Sequence, residues 1–365
     1  MSEDTRQLGG TPENPIRVDL PCAWYGKDVQ NETDWIWQLT TEHIEELDAA
    51  LQKSKENGLA EQQVTKKDFV LDGFGAELDR MVHELEYGRG FVLMRGLPVD
   101  RYDYADIRRI YWGIGQHIGT AESQNIKGEL IQEIRDHGFD YTKSEHRGSM
   151  SSAELRPHCD ITDIVGLVCL RTAREGGQST IRSAMTIYNE IFDKHPEYLP
   201  ALHRGFHFEL DGKGPTGNPN EVTHRISTFS WHEGYIACRF NQKAIEAGAV
   251  KAGAHLSKLE QAAITFVGET AIRKDVELSM TFEPGDIQWL NNSVILHSRE
   301  HFIDYKEENR KRLLLRLWLN HDGGRPLDDD FANKALAGPR KGVLKRDSTF
   351  KAEDMLQSAK KGRLI

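Results

Sequence analysis

Short apolar runs separated by turn-forming residues dominate the chain beyond about residue 120. The runs are ELIQEI, IVGLVCLR, FHFEL, YIACRF, VILH and RLLLRLWL. Each run has the length of a strand rather than a helix, and glycine, asparagine, aspartate and proline lie between them. Many short strands joined by turns predict a β-sandwich or a β-barrel.

The earlier part of the chain has the pattern of helices that support such a core. Apolar residues at helical spacing predict helices over 42–55, 75–87 and 104–118, with a buried strand at 91–95. A further helix is predicted over 257–272, and a short strand near 16–20. The expected class is therefore α+β. We divide the chain into a helical support region (1–90), a catalytic core (91–323) and a charged tail (324–365).

Composition limits the possible partners. The 365 residues are 38% hydrophobic and 28% charged, which is enough apolar material for a large core and is unlike a disordered chain. The net charge of −10 argues against general binding to nucleic acid or to anionic membranes, because both require a basic surface. A small-molecule substrate is the expected partner, and a homo-oligomer is compatible with the sequence.

The cysteines and the N-terminal sequence point to a reducing compartment. The four cysteines are scattered without a CxxC pair, which predicts reduced, buried thiols rather than disulfides or a zinc knuckle. The first residues are polar and partly acidic, unlike a secretory or transit signal. No apolar run approaches the roughly 20 residues that span a bilayer. We predict a cytoplasmic protein.

A His-x-Asp or His-x-Glu pair often supplies two ligands of a facial iron(II) triad. Four such pairs occur: His43/Glu45, His158/Asp160, His195/Glu197 and His207/Glu209. The first and third lie at predicted helix ends, where no metal is needed. His207 and Glu209 share one face of a predicted strand and remain an alternative. His158 and Asp160 are favoured, because a turn there enters the apolar strand IVGLVCLR and a rigid strand positions ligands precisely.

The far end of the sequence supplies a third ligand candidate and an unusual pair of arginines. His297 ends a predicted strand, and Arg312 opens the apolar run RLLLRLWL. Arg312 and Arg316 are four residues apart and therefore face the same side of a strand. An arginine among leucines is costly to bury unless an anion pairs with it. A dicarboxylate that chelates a metal at one end and meets Arg312 at the other would supply that anion.

The ordered set of motifs between 91 and 319 resembles the TauD/TfdA family of iron(II)- and 2-oxoglutarate-dependent dioxygenases, which includes taurine- and clavaminate-type enzymes. The matching segments are GFVLMRG, ESQNIKGELIQEIRD, HCD, GGQST, WLNNSVILHSR and RLLLRLWL. The resemblance implies a double-stranded β-helix (jelly-roll) core with flanking helices. It also implies iron(II), 2-oxoglutarate and O2 as cofactor and co-substrates.

The resemblance further implies roles for individual residues. His158, Asp160 and His297 match the iron ligands, and Arg312 matches the arginine that binds the distal carboxylate of 2-oxoglutarate. The co-substrate would be converted to succinate and carbon dioxide while the substrate is oxidised. The Asp160 carboxylate argues against a halogenase, in which a small residue replaces it.

Other assignments from the resemblance stay open between two readings. Either Ser179 or Thr180 in GGQST would donate a hydroxyl to the co-substrate. Arg316 matches a second family arginine, which either reaches the substrate or pairs with an acidic neighbour. Gln124 and Asn125 resemble residues near the substrate, but side chains that order a loop would look the same.

A long polar segment, 138–156, directly precedes the metal pair. Its Lys143, His146, Arg147 and Arg156 could receive an anionic group if the segment covers the site, or they belong to a solvated loop. We expect a small substrate that bears a carboxylate, such as an amino acid or a derived metabolite. Hydroxylation is the default outcome, and desaturation or ring closure would use the same residues.

Two other functions compete with this hypothesis. A zinc hydrolase could use the same three ligands, but it would not need the inward Arg312. A non-catalytic jelly-roll module that has lost its metal could keep the fold, but the three intact ligand residues argue against it.

Overall fold

The computed structural model describes residues 10–137, 151–332 and 342–346. Its α-helices are α1 Gly26–Val29, α2 Thr41–Glu56, α3 Gly73–Tyr87, α4 Tyr104–Ile118, α5 Ala184–Lys194, α6 Leu199–Arg204, α7 Gln242–Lys251, α8 Lys258–Ala271 and α9 Asp329–Ala332. Its strands are β1 Ile36–Gln38, β2 Phe91–Arg95, β3 Thr120–Ala121, β4 Ile131–Ile134, β5 Leu155–His158, β6 Ile164–Arg171, β7 Glu175–Gly176, β8 Ser179–Ser183, β9 Phe229–His232, β10 Tyr235–Cys238, β11 Glu277–Met280, β12 Ile287–Asn291, β13 Ile295–Arg299, β14 Phe302–Ile303 and β15 Leu313–Asn320.

The larger sheet has the strand order β1-β2-β12-β6-β15-β3, and β4 also pairs with β15. Its central strands β6 and β15 are antiparallel, with Val168 opposite Leu315. Both strands are covered on both faces, so most of their residues are buried. This double burial explains why IVGLVCLR and RLLLRLWL are continuous apolar runs rather than alternating ones.

The smaller sheet has the order β11-β8-β13-β5 and is antiparallel throughout. Side chains from both sheets meet in one apolar cluster, which includes Val165 and Leu314 of the larger sheet and Ile181 and Leu296 of the smaller one. Two facing, mainly antiparallel sheets with helices outside form the expected double-stranded β-helix. The predicted fold class is confirmed.

The N-terminal helices cover the outer face of the larger sheet. A second apolar cluster joins Leu78 and Met81 of α3 and Ile114 of α4 to Trp289 of β12 and Leu315 of β15. These side chains are fully buried. The helices predicted at 42–55, 75–87, 104–118 and 257–272 correspond to α2, α3, α4 and α8 within two residues at each end, and β2 has the predicted bounds.

Two strand predictions were wrong. Residues near 16–20 form no strand, because a side chain takes the place of a strand neighbour: Asn189 Nδ2 donates to the Val18 carbonyl and its Oδ1 accepts from the Val18 N–H, each at 2.8 Å. The run FHFEL makes only isolated bridges, from Phe206 to Ile226 and from Glu209 to Val222. Neither segment pairs with a neighbouring strand over several consecutive residues, as a strand in a sheet requires.

Parts of the charged tail lie against the core. Arg325 is buried and donates to the backbone carbonyls of Ile236 and Glu86, at 2.7 and 2.9 Å. Val343 donates its N–H to the carbonyl of Ser123 at 2.8 Å. The four cysteines are free and buried. Within the described ranges, no helix is long and apolar enough to cross a membrane.

Candidate metal centre

The pairing of β5 with β13 brings two histidines together. His158 ends β5, and His297 lies directly opposite it in the middle of β13. Opposite residues in an antiparallel pair project to the same face of the sheet. Accordingly, the two imidazole rings lie side by side, with 4.4 Å between their centroids.

Asp160 completes a cluster of three metal-binding side chains. Its Oδ1 lies 4.0 Å from Nε2 of His158, and its Oδ2 lies 3.8 Å from Nε2 of His297. One ligand atom from each residue lies within 4.8 Å of the other two. The described residues contain no other such group of three His, Cys, Asp or Glu side chains.

Hydrogen bonds hold the Asp160 carboxylate and backbone in place. Oδ2 accepts from Trp318 Nε1 at 2.8 Å and from Arg316 Nη1 at 3.1 Å. The Asp160 N–H donates to Oδ1 of Asn292, in the turn between β12 and β13, at 3.1 Å. The carboxylate is therefore oriented by strand β15 and its backbone by the neighbouring turn.

The protonation states suit a metal ligand set. Burial raises the pKa of Asp160, but the charges of Arg316, His297 and His158 outweigh it and lower the pKa to about 2. Burial is the main cause that lowers the pKa of His297 to about 3, and the neighbouring His158 lowers it further. Nδ1 of His158 lies 2.9 Å from the carbonyl of Arg156, and a carbonyl can only accept. Nδ1 of His158 therefore donates, which leaves Nε2 free to bind a metal.

Two imidazoles and one carboxylate, converging on one point, fit a divalent iron ion bound as a facial triad. Two cavities each contact two of these three side chains. One, of about 60 Å³, contacts His158 and His297 and reaches Arg312. The other, of about 210 Å³, contacts His158 and Asp160 on the side of β10 and α7.

Arg312 is a buried cation at the wall of the 60 Å³ cavity. Its Nη1 is buried and has no hydrogen-bond partner among the described residues, and no carboxylate in that part of the chain lies within ion-pair distance. Burial lowers its pKa to about 10. The guanidinium packs over the ring of Phe302, with 5.1 Å to the centroid. This orphaned group fits the distal carboxylate of a chelating diacid.

The two hydroxyl candidates differ in position. Ser179 lines the cavity with Arg312 and donates to Oε1 of Gln288 at 3.1 Å. Thr180, the next residue of β8, points to the other face. Its hydroxyl instead bonds Ser298 and accepts from Arg182 Nη1 at 2.8 Å.

The glycine turn predicted after β6 lies beside Arg312. Gly176 and Gly177 have φ values of +72° and +78°, which L side chains rarely adopt. A Cβ on Gly176 would lie 2.3 Å from the carbonyl oxygen of His301. The turn therefore depends on glycine to bring this loop close to the Arg312 guanidinium.

Arg316 has acidic and amide partners. Besides Asp160, it donates from Nε to Oε1 of Gln124 at 2.8 Å and from Nη2 to Oε1 of Gln132 at 3.1 Å. Gln124 lines the 210 Å³ cavity. Asn125 does not line it. Its Nδ2 donates to Glu129 and its Oδ1 accepts from the backbone of the same turn, so this side chain orders its own loop.

The remaining candidates are exposed or lie outside the described residues. Arg156 is exposed and lines a third cavity of about 350 Å³, which also contacts His158. Lys143, His146 and Arg147 lie outside the described residues. In the alternative pair, His207 Nδ1 bonds the carbonyl of Thr223 at 2.7 Å and Glu209 pairs with Lys251 at 2.8 Å.

Comparison with known proteins identifies the family. Residues 55–318 match the family model described as "Taurine catabolism dioxygenase TauD, TfdA family". The chain belongs to the TauD/TfdA family. It is 32% identical to FR-33289 synthase of Streptomyces rubellomurinus over 326 residues, which cover 87% of this chain and 96% of that protein.

Solved structures of similar fold include two oxygenases. An asparagine oxygenase in complex with Fe(II), (2S,3S)-3-hydroxyasparagine and succinate has a TM-score of 0.63 at 14% identity, covering 78% of this chain and 93% of that one. The non-haem iron oxygenase OrfP with Fe, succinate and (3S)-hydroxy-L-Arg has a TM-score of 0.59 at 12% identity, covering 85% and 99%. At these identities the likeness establishes the fold.

This TauD/TfdA protein is an oxygenase enzyme, as the motifs predicted. The expectation of iron, 2-oxoglutarate and O2 as cofactor and co-substrates is confirmed at the level of the family.

Sequence reasoning missed three residues of this site. Trp318 lies two positions after Arg316 and shares its face of β15, so spacing alone could have identified it. Asn292 was seen only as part of the segment before His297. Arg239 lines the 210 Å³ cavity, and its signal was a cation inside the apolar run YIACRF.

Proposed function

We propose that this protein is an iron(II)- and 2-oxoglutarate-dependent dioxygenase that oxidises an unactivated C–H bond of a small, carboxylate-bearing substrate. The substrate class is an amino acid or a metabolite derived from one, and hydroxylation is the expected outcome. The observation that carries the proposal is the convergence of His158, Asp160 and His297 on one point. A cavity beside two of these ligands holds the Arg312 guanidinium, whose Nη1 has no hydrogen-bond partner among the described residues.

Each group in the site has a distinct task. His158, Asp160 and His297 would hold the iron, which when bound supplies oxygen activation coupled to decarboxylation of 2-oxoglutarate. Arg312 would bind the distal carboxylate of the co-substrate through its buried nitrogens. Ser179 would add a hydroxyl donor to the same carboxylate by turning its single O–H away from Gln288. These interactions fix the co-substrate in one orientation before the substrate is oxidised.

The surroundings of Arg312 favour this chemistry. Ile134, Leu167 and Leu314 give the same cavity an apolar lining. A charge-assisted hydrogen bond is stronger in such an environment than in water.

The substrate class is supported by two observations. The 210 Å³ cavity beside His158 and Asp160 has the scale of a small molecule. Structures of similar fold hold hydroxylated amino acids, (2S,3S)-3-hydroxyasparagine in one and (3S)-hydroxy-L-Arg in the other. Contacts in this cavity would determine which side chain the substrate carries and which of its positions is oxidised.

Succinate formation tests the proposed function. Purified protein should produce succinate from 2-oxoglutarate only when iron(II) and O2 are both present. The Asp160→Ala variant should lose this activity, because two imidazoles alone hold the ion too weakly. The matched control is Glu197→Ala, which removes the acidic member of another His-x-Glu pair, at an exposed site. Turnover with zinc in the absence of O2, or full activity of Asp160→Ala, would contradict the proposal.

A further inference from the structure

Arg239, immediately after β10, is a second buried cation close to the metal ligands. Only 6% of its surface is exposed, and its Nη1 has no hydrogen-bond partner in the part of the chain that the structure describes. No carboxylate among those residues lies within ion-pair distance of it. Its guanidinium carbon lies 4.8 Å from the centroid of the Phe208 ring, so one face is covered by an aromatic surface.

Arg239 faces the larger of the two cavities that each contact two of the metal ligands. This cavity of about 210 Å³ is lined by Arg239 together with His158 and Asp160. A ligand held by Arg239 would therefore lie beside the proposed iron.

The acidic groups of this cavity already have partners. Asp160 pairs with Arg316 at 3.1 Å, and Glu209 pairs with Lys251 at 2.8 Å. Neither carboxylate neutralises Arg239. Among the residues that the structure describes, the guanidinium therefore leaves a positive charge uncompensated at the wall of the cavity.

Helix α7 adds positive potential at the same place. Its N-cap residue, Asn241, and Ala244 of its first turn both line the cavity. The Ala244 N–H is capped by Oδ1 of Asn241, but this end of the helix still carries the positive end of the helix dipole. The buried guanidinium and this helix end thus act on the same volume.

A buried guanidinium without an anion destabilises the folded protein, and a ligand that supplies the anion would offset that cost. We propose that Arg239 binds an anionic group of the substrate, namely a carboxylate, phosphonate or sulfonate. This inference rests on the proposed function, because only then is the bound anion part of a substrate. It places the acid group of the substrate at the end of the cavity near β10 and α7. Arg312 serves the co-substrate and Arg316 serves Asp160, so neither arginine takes this role.

Small anions test the site directly. The protein is first saturated with Mn(II) and 2-oxoglutarate so that Arg312 is occupied. Acetate, methylphosphonate and methanesulfonate are then titrated separately, with neutral acetamide as the uncharged control, and the melting temperature is followed. At least one anion should stabilise the wild-type protein, and the one that binds most tightly identifies the acid group. Acetamide should have no effect.

Two variants localise the effect. Arg239→Gln should weaken binding of that anion at least about 10-fold, whereas Arg204→Gln, at an exposed arginine of α6, should bind it like the wild type. If no anion stabilises the wild type, or if Arg239→Gln binds it unchanged, the proposal is overturned.

A second measurement separates binding from a structural role. Without added anions, Arg239→Met should melt at a higher temperature than the wild type, because the variant removes a buried unpaired charge. A lower melting temperature, or failure to fold, would assign Arg239 a structural role and overturn the proposal. Succinate formation is measured independently, so a protein that binds the anion but lacks iron-dependent turnover would refute only the proposed function.

Discussion

The two oxygens of the Asp160 carboxylate differ in their contacts. Oδ2 accepts hydrogen bonds from Trp318 and Arg316, while Oδ1 lies nearest to His158. The bonds to Oδ2 fix the rotation of the carboxylate, so that it is oriented before any metal arrives. Outer hydrogen bonds of this kind commonly raise the affinity of a site for its metal.

The role of Trp318 can be measured. Trp318→Phe keeps an aromatic ring at this buried position but removes the hydrogen bond to Asp160. We expect the affinity for Mn(II), a redox-stable substitute for iron(II), to fall by about 10-fold. Calorimetric titration of the metal measures the change. Trp37→Phe, at a half-buried site in β1, is the control, and an unchanged affinity in Trp318→Phe would show that Arg316 alone orients the carboxylate.

Arg312 should contribute to the affinity for 2-oxoglutarate but not to the affinity for the metal. Arg312→Met replaces the guanidinium with an apolar chain that suits the leucine-lined cavity. Loss of one partner of a buried charge pair costs about 2–5 kcal/mol, so the dissociation constant of 2-oxoglutarate should rise by at least about 30-fold. Titration of the Mn(II)-loaded protein measures it, with exposed Arg310→Met as the control. Equal loss of Mn(II) and 2-oxoglutarate binding would indicate a general structural defect instead.

At the scale of elements, helix α5 ties three separate parts of the chain together. Asn189 binds the backbone of Val18 in the N-terminal lead-in. The neighbouring Glu190 accepts hydrogen bonds from Tyr25, from Lys194 in its own helix and from Arg273 beyond α8. At Val18, these side-chain hydrogen bonds replace the strand pairing that was expected near residues 16–20.

The Glu190 cluster gives stability a defined pH dependence. Burial raises the pKa of Glu190, but hydrogen bonds from Lys194, Tyr25 and Arg273 outweigh it and lower the pKa to about 2. Because the folded-state pKa lies below the ordinary 4.5, the stabilisation is complete above 4.5 and is lost as the pH falls from 4.5 towards 2. Glu190→Gln should therefore cost about 2 kcal/mol at pH 7 and progressively less below pH 4.5.

Urea unfolding at pH 7, 5 and 4 measures this difference. The control is Asp193→Asn on the same helix, whose pair with Arg17 is about half exposed and should contribute less than about 1 kcal/mol. A Glu190→Gln deficit that stays constant as the pH falls from 5 to 4 would contradict the assigned pKa.

The sequence could predict elements with a local signal, but not contacts between residues that are distant in the chain. Helix α4 and the central strands β6 and β15 were identified because their signal is local: periodic apolar residues in one case, continuous apolar runs in the others. The strand expected near 16–20 failed because its partner, the amide of Asn189, is distant in sequence. The geometry of the site was equally beyond reach, since the register that sets His158 opposite His297 is a long-range property. The family motifs supplied the pairing that periodicity could not.

At the scale of the whole molecule, the larger sheet separates two apolar clusters and belongs to both. In β2, Phe91 and Leu93 point into the cluster shared with the smaller sheet, whereas Val92 and Met94 point into the cluster shared with α2, α3 and α4. This alternation follows from the two-residue period of a strand. Removal of the N-terminal helices would therefore expose one entire face of the sheet that carries Arg316.

The helical layer and the β-core should consequently unfold together. Phe74 in α3 is 2% exposed and packs into the helix-side cluster, so Phe74→Ala should destabilise the protein by about 3–5 kcal/mol. Val70→Ala, at a side chain that is 53% exposed just before α3, should change stability by less than about 0.5 kcal/mol. Urea unfolding is followed by far-ultraviolet circular dichroism and by tryptophan fluorescence, and the midpoint in Phe74→Ala should fall equally for both signals. A two-step transition in which Phe74→Ala moves only the first step would show that the helices fold as a separate unit, because the sheet would then keep its structure without them.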